Sequence, residues 1–344
     1  MFLKCFGESS SSGRQYPTVI EELCRHFSLA DIQKSTNNFD DKRLIGRGAW
    51  VKVYEGCLQH IDGSDYAVTV RRYKEDSEIF KREVELLCQL HHPNCVSIVG
   101  FCNHKKEKIT VHEYMSNRSL ISYLGDEVRE ALPWKKRIEI CIGAARGLHY
   151  LHAGLKRTIV HRNINSASIL LDDNMHPKFS GFSLSLMGAH FKEKSKPIQT
   201  DLIGRPGRLP LEYVRDGTVT HKCDIYSFGV VLLQVVRGTR IFPILKELMG
   251  TSVEENIDPK IKGKIAPECW LVFIDIALRC IKDDRDERPE MGEVEVQLEL
   301  ALLLQEQADI TNINNCYTLS SKTIMDPKSE RKWGFEAVPT ELLK

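Results

Sequence analysis

No C-x-x-C pair occurs in this chain of 344 residues, although it holds eleven cysteines. That absence excludes a zinc ribbon and a thioredoxin-type redox site. Charge of one sign is missing too: 48 Lys and Arg stand against 47 Asp and Glu, a net charge of +1. A nucleic-acid-coating protein carries a clear basic excess, so no nucleic-acid partner is expected. The apolar run 225–236 is too short and too interrupted to span a bilayer. No signal peptide opens the sequence and no internal repeat runs through it. What is there is ordinary for a soluble globular protein, with 42% hydrophobic and 28% charged residues, which excludes wholesale disorder. An odd number of scattered cysteines points to a reducing, cytoplasmic compartment with buried thiols. Cys88, Cys95 and Cys102 recur every seven residues and His104 follows. Buried thiols outweigh a metal site there.

Residues 1–26 read as a flexible tether because Ser9–Ser12 and Gly13 form a small-residue run. Phe2 stands where N-myristoylation needs glycine. Cys5 is either a plain thiol or S-acylated, and a single acyl chain gives only marginal, peripheral plasma-membrane contact. Residues 27–43 form a pre-domain helix that starts at Ser28 with Asp31 three residues on and ends near Asn37 and Asn38. Residues 44–70 alternate, with glycine punctuation, as antiparallel strands do. Residues 77–90 have helical spacing, and 96–101 and 108–114 read as strands. Helices then dominate at 134–152, 223–236 and 290–307, the last with Leu298, Leu302 and Leu303 on one side. Strands first and helices after argue an α+β fold with two lobes, 44–114 and 115–307. Residues 308–344 are a polar tail.

Leu44-Ile-Gly46-Arg-Gly48-Ala-Trp-Val51-Lys-Val53 lies between two predicted strands. A glycine turn lets backbone amides approach phosphate oxygens, but β-branched Val51 occupies the place of a third glycine. Taken alone, the run fits a plain hairpin equally well. Further along come Val68-Thr69-Val70-Arg71, Glu83, His161-Arg162-Asn163, Ser180-Gly181-Phe182-Ser183, Pro210-Leu211-Glu212, Asp224-Ile-Tyr-Ser-Phe-Gly229 and Arg288-Pro289. In this order and spacing they resemble the protein kinase fold over residues 38–305. The segments Phe27–Ile32, Ile140–His152 and Asp224–Val231 resemble, more narrowly, the plant receptor-like kinases of the FERONIA-like (malectin-type) branch. No ectodomain or membrane span precedes them, so the resemblance implies the receptor-like cytoplasmic form.

The resemblance also implies where chemistry should sit, and the residues there are the wrong ones. Arg71 replaces the phosphate-gripping lysine, and a planar fork is not a point ammonium. It is expected to pair with Glu83. Thr69 replaces a small residue roofing the adenine, and Glu113 and Leu170 complete the nucleotide pocket. Asn163 replaces the catalytic aspartate, and an amide cannot take a proton. Asn165 replaces the assisting lysine. Ser168 and Gly181 replace the magnesium ligands, where hard carboxylate oxygens are wanted. No catalytic or metal residue is therefore expected intact. No cofactor is required, ATP binding is weak, and magnesium is not bound. By contrast the scaffold residues match: Leu87, His161 and Phe182 of an internal apolar column, Asp224 at its base, and the pair Glu212–Arg288. Arg162 matches an arginine that can hold a phosphorylated activation segment, here 181–212 with Ser195 and Thr200. Thr200 is either that phosphosite or one more solvated threonine.

The resulting expectation is a pseudokinase, acting as scaffold, allosteric partner or substrate of an active receptor-like kinase or immune receptor. Two rivals stand beside it: an active or weakly active Ser/Thr kinase that transfers the ATP γ-phosphate, and a nucleotide-binding regulator without turnover.

Overall fold

The structure is a computed structural model and describes residues 24–60, 62–74, 77–125, 130–190, 197–203, 209–239, 257–312 and 316–319. The expectations for Cys5, Ser195 and most of the tether and tail lie outside those residues. The chain divides into two compact units between Ser116 and Asn117.

The first unit is a twisted sheet of six strands: β1 (Arg25–His26), β2 (Leu44–Arg47), β3 (Val51–Gln59), β4 (Asp65–Tyr73), β5 (Ile98–His104) and β6 (Glu107–Glu113). Their spatial order is β1-β5-β6-β4-β3-β2, antiparallel except for the β1–β5 pair. Alternation along β3, β4 and β6 gives the sheet two unlike faces. Tyr54, Val68, Val70, Ile109 and Val111 point to one face and pack with Phe27 and Ile32. Ile32 belongs to helix α1 (Leu29–Ser35), whose start is a full capping box: Asp31 N–H donates to Ser28 Oγ, and Ser28 N–H donates to Asp31. Gly56 lets this helix sit close, since a Cβ there would meet Val68 and Val70 at 3.0 Å and Ser35 Oγ at 3.3 Å. The opposite face packs on helix α2 (Ser77–Leu87) through Phe80, Val84, Tyr73 and Phe101.

Two boundaries correct the expectations here. Arg25 and His26 form β1 instead of belonging to the tether, because Gly100 on β5 leaves room for their backbone: a Cβ on it would lie 2.3 Å from Arg25 O. Helix α1 ends at Ser35 rather than at Asn37–Asn38, which take positive φ together with Phe39.

The second unit is mainly helical: α3 (Trp134–Ala153), α4 (Leu211–Asp216), α5 (His221–Arg237), α6 (Pro267–Cys280) and α7 (Met291–Thr311). Three short strand pairs accompany them, β7–β10 (Arg157–Val160 with Leu186–His190), β8–β9 (Ile169–Leu171 with Pro177–Phe179) and β11–β12 (Ile198–Gln199 with Thr218–Val219). Helix α5 is buried along nearly its whole length, which its run from Val230 to Val236, apolar but for Gln234, allows. Helix α7 extends into the expected tail. Its buried face is Met291, Val294, Leu298, Ala301 and Gln305, and Leu303 is 49% exposed. The grouping of Leu303 with Leu298 is therefore corrected: five residues turn a helix by about 500°, placing the two well apart around the axis. No helix among the described residues is long and apolar enough to cross a membrane.

Candidate functional site

In the first unit, Arg71 on β4 and Glu83 on α2 meet as expected. Arg71 Nη1 donates to Glu83 Oε1 at 2.7 Å, with the arginine side chain 12% exposed and the glutamate fully buried. Burial disfavours the Arg71 charge, and Glu83 and Tyr73 beside it more than offset that, so the guanidinium is held above its usual value. Tyr73 was not foreseen. It lies two residues on, on the same sheet face, and its hydroxyl donates to the second oxygen, Glu83 Oε2, at 2.5 Å. One carboxylate is thus held from both sides by β4. Burial raises the Tyr73 phenol well above its ordinary value, which keeps it a donor.

Thr110 and His112 face the same side, because Arg71 pairs with Thr110 and Thr69 with His112 across β4 and β6. His112 Nε2 lies 2.8 Å from Thr110 Oγ1, and its Nδ1 has no hydrogen-bond partner among the described residues. Burial, and then the Arg71 charge, push this imidazole well below its ordinary pKa, so it is neutral. Glu113 Oε1 accepts from the Ser97 amide at 2.7 Å. In the glycine turn, Gly48 N donates to Val51 O at 2.7 Å, and a Cβ at Gly48 would meet Val51 Cγ1 at 3.1 Å. Val51 packs toward Tyr73 and Phe80, and Val53 pairs with Arg71 in register.

In the second unit, the loop after β7 is shaped from helix α5. Asp224 accepts the amides of His161 at 2.7 Å and Arg162 at 2.8 Å, one on each oxygen, and His152 Nε2 at 3.1 Å. His161 Nδ1 accepts the Asn163 amide at 3.2 Å, so its proton sits on Nε2, which donates to Ser180 O at 3.1 Å. Its ring stands edge-on to Phe182 at 4.9 Å. These are the expected column residues of this unit, and Leu87 is buried in the other.

The positions expected to do chemistry close on one another. Asn165 Nδ2 donates to Asn163 O at 2.8 Å and to its Oδ1 at 3.2 Å. Ser168 Oγ accepts the Asn165 amide at 3.0 Å and donates to Asn165 O at 2.8 Å. Gly181 takes φ 84°, and a Cβ there would lie 3.3 Å from Asn163 Nδ2. Magnesium does not fit this donor set: an amide, a hydroxyl already bonded on both sides and a missing side chain offer no carboxylate. Leu170 sits on β8, bridged to Ser119.

Arg162 takes φ 65° and donates to two main-chain acceptors, Leu184 O at 3.2 Å and Asp201 O at 3.1 Å, and to the Tyr213 hydroxyl at 2.7 Å. Tyr213 in turn donates to Asp201 O at 2.8 Å and accepts the Ile203 amide at 3.0 Å. Thr200, next to Asp201, bonds through its amide to Gly217 O at 3.1 Å. Arg162 thus holds the neighbour of Thr200 through backbone contacts that need no phosphate. Glu212 and Arg288 form the expected pair, bidentate at 2.6 and 2.9 Å, with the Arg288 side chain fully buried.

Comparison with known proteins agrees with this architecture. The family pattern for protein tyrosine and serine/threonine kinases matches residues 39–298. The receptor-like protein kinase FERONIA of Arabidopsis thaliana is 39% identical over 319 residues, covering 88% of this chain and 35% of that protein. ANXUR2 of the same plant is 41% identical over 317 residues, covering 87% of this chain and 36% of its own length. ANXUR1 is 41% identical over 319 residues, with 88% and 37% covered. The chain spans about a third of the length of these curated relatives.

Proposed function

Since the chain belongs to the protein tyrosine and serine/threonine kinase family, we propose that it has kept the kinase scaffold, lost phosphoryl transfer and works by binding. The single observation that carries this reading is the closed set Asn163–Asn165–Ser168 beside Gly181. Phosphoryl transfer is stabilised mainly by positioned metals and charge, with a carboxylate orienting the hydroxyl. None of these four residues brings a carboxylate, and Asn165 already bonds to both Asn163 and Ser168. The surrounding loop is nevertheless built in full on Asp224. Scaffold kept and chemistry lost together favour selection for shape.

In this reading the protein is a scaffold, allosteric partner or substrate of an active receptor-like kinase or immune receptor. It works in the cytoplasm, with peripheral plasma-membrane contact if Cys5 is acylated. It needs no cofactor, and any ATP binds weakly and without magnesium at Arg71.

The test is direct. Purified protein given labelled ATP with magnesium or manganese should incorporate no more label than an Asn163→Ala, Arg71→Ala double variant. Transfer above that background overturns the proposal in favour of an active kinase. A magnesium-dependent thermal shift with ATP would overturn the account of Ser168 and Gly181.

A further inference from the structure

Helix α7 is apolar on two opposite sides, and its own unit covers one of them. Met291, Val294, Leu298, Ala301 and Gln305 step by three and four along the buried side. The flanking side chains tie the helix down in that orientation. Arg146 of α3 donates to Glu299, and His149 Nδ1 of α3 lies 2.9 Å from Glu295 Oε2. Arg279 of α6 donates to Glu293, and Gln305 Oε1 accepts the Ala266 amide at 2.9 Å. The helix therefore cannot roll to bury its other side.

That other side carries a second stripe. Val296, Leu300, Leu303 and Ile310 are 58, 38, 49 and 81% exposed, and exposed Gln307 stands between the last two. The steps from Val296 to Ile310 are four, three, four and three residues, which is a heptad spacing. Leu300 follows Leu298 by a turn of about 200°, so the stripe lies opposite the buried one. Single exposed apolar residues are ordinary on a surface. A seam at heptad spacing with one polar member is instead the pattern by which a helix meets a helix in a left-handed supercoil.

We propose that this seam is a contact between two copies of the chain, α7 against α7, parallel and in register. The order of residues along the stripe selects that occupant. In register, each seam residue faces itself across a two-fold axis. Val296, Leu300, Leu303 and Ile310 then bury apolar on apolar, and the two Gln307 amides can donate to and accept from each other. Glu299 lies toward Leu304 of the second copy and Glu306 toward Thr311, five residues on, so no like charges meet. The antiparallel arrangement sets Val296 against Gln307, Ile310 against Glu293 and Glu299 against Glu306, which buries apolar on polar and brings acids together. A basic partner helix is not called for, because Arg279, Arg146 and Lys135 of the same chain already answer Glu293, Glu299 and Asp309. The seam is about 21 Å long, which sets the contact among small, transient interfaces with a dissociation constant of roughly 10–50 μM. The proposal stands apart from the loss of phosphoryl transfer, and either can fail alone.

The full chain is sedimented at concentrations from about 1 to 200 μM. The expected result is a monomer that passes reversibly to a dimer. Leu300→Glu and Leu303→Glu, at exposed positions on which the fold does not rest, should weaken the dimer at least about tenfold. Gln307→Lys exchanges one polar residue for another but sets two like charges in the seam, so it should weaken the dimer as much. Glu306→Lys, beside the seam, should leave it within about twofold. In a Cys57→Ser, Cys316→Ser background, Leu303→Cys should give a disulfide-linked dimer under mild oxidation and Glu306→Cys should not. A dimer indifferent to Leu303→Glu overturns the proposal, and one strengthened by Glu306→Lys overturns the parallel register. A monomer at the highest concentration also overturns it, leaving the face to a foreign helix or to residues 320–344 of the same chain. A benzoylphenylalanine placed at position 303 would tell those two apart.

Discussion

The imidazole of His112 is enclosed beside Arg71, and both burial and that neighbouring charge favour its neutral form. Its folded pKa therefore lies below the unfolded value of about 6.5, and the unfolded chain binds the extra proton. The contribution to stability is complete above pH 6.5 and is lost as pH falls toward the folded value, by up to about 1.4 kcal/mol per pH unit. Urea unfolding midpoints should drop between pH 7.5 and 5, and His112→Gln should flatten that drop. An unchanged slope in the variant would mean that other groups, such as buried His152, set the acid limb. Residues of this kind were only half legible in the sequence. Arg71 and Glu83 could be paired from motif spacing. Tyr73 was within reach too, since two residues along a strand return to the same face. His112 was not, because its place beside Arg71 depends on the β4–β6 register, a non-local fact.

Elements were legible where one period dominates. The Ser28–Asp31 box marked the start of α1, and the glycine-broken alternation marked the β2–β4 meander. Helix α6 was missed although Cys269, Trp270, Phe273, Ile276, Ala277 and Cys280 recur at helical spacing on one buried face, with Leu271 and Asp275 exposed opposite. Its packing also explains Gly229 inside α5. A Cβ there would lie 2.6 Å from Cys280 Cβ and 2.8 Å from Ile281 Cγ2, so the two helices touch at backbone range. Gly229→Ala gains helix propensity but must push α6 away. The expected net loss is about 1–3 kcal/mol, read as a lower denaturant midpoint with an unchanged m-value. An alanine variant as stable as the parent would show that α6 yields at this crossing.

At the scale of the molecule, the second unit is cross-braced by arginines that hold distant segments together. Arg137 on α3 donates to Leu132 O at 2.9 Å, Val235 O at 2.7 Å and Asp258 Oδ2 at 2.5 Å. Arg288 donates to Glu212 and to the carbonyls of Lys282, Lys222 and Asp283. Removing Arg288 leaves the half-buried Glu212 without its counter-ion, and Arg288→Ala should lower full-chain stability by about 3 kcal/mol in chemical denaturation. The double change Arg288→Met, Glu212→Leu removes both charges and should cost clearly less; an equal cost would locate the loss in the carbonyl contacts instead. The Glu212–Arg288 pair was readable from the motif order, but Arg137 was not, since no spacing announces three acceptors drawn from three parts of the chain. Asp224 acts at this scale as well. By taking the amides of His161 and Arg162 from inside the helical layer, it casts the loop without help from any residue that would move a phosphate. The loop's outline is thus set by one buried carboxylate, and the side chains it displays can change without touching that mould.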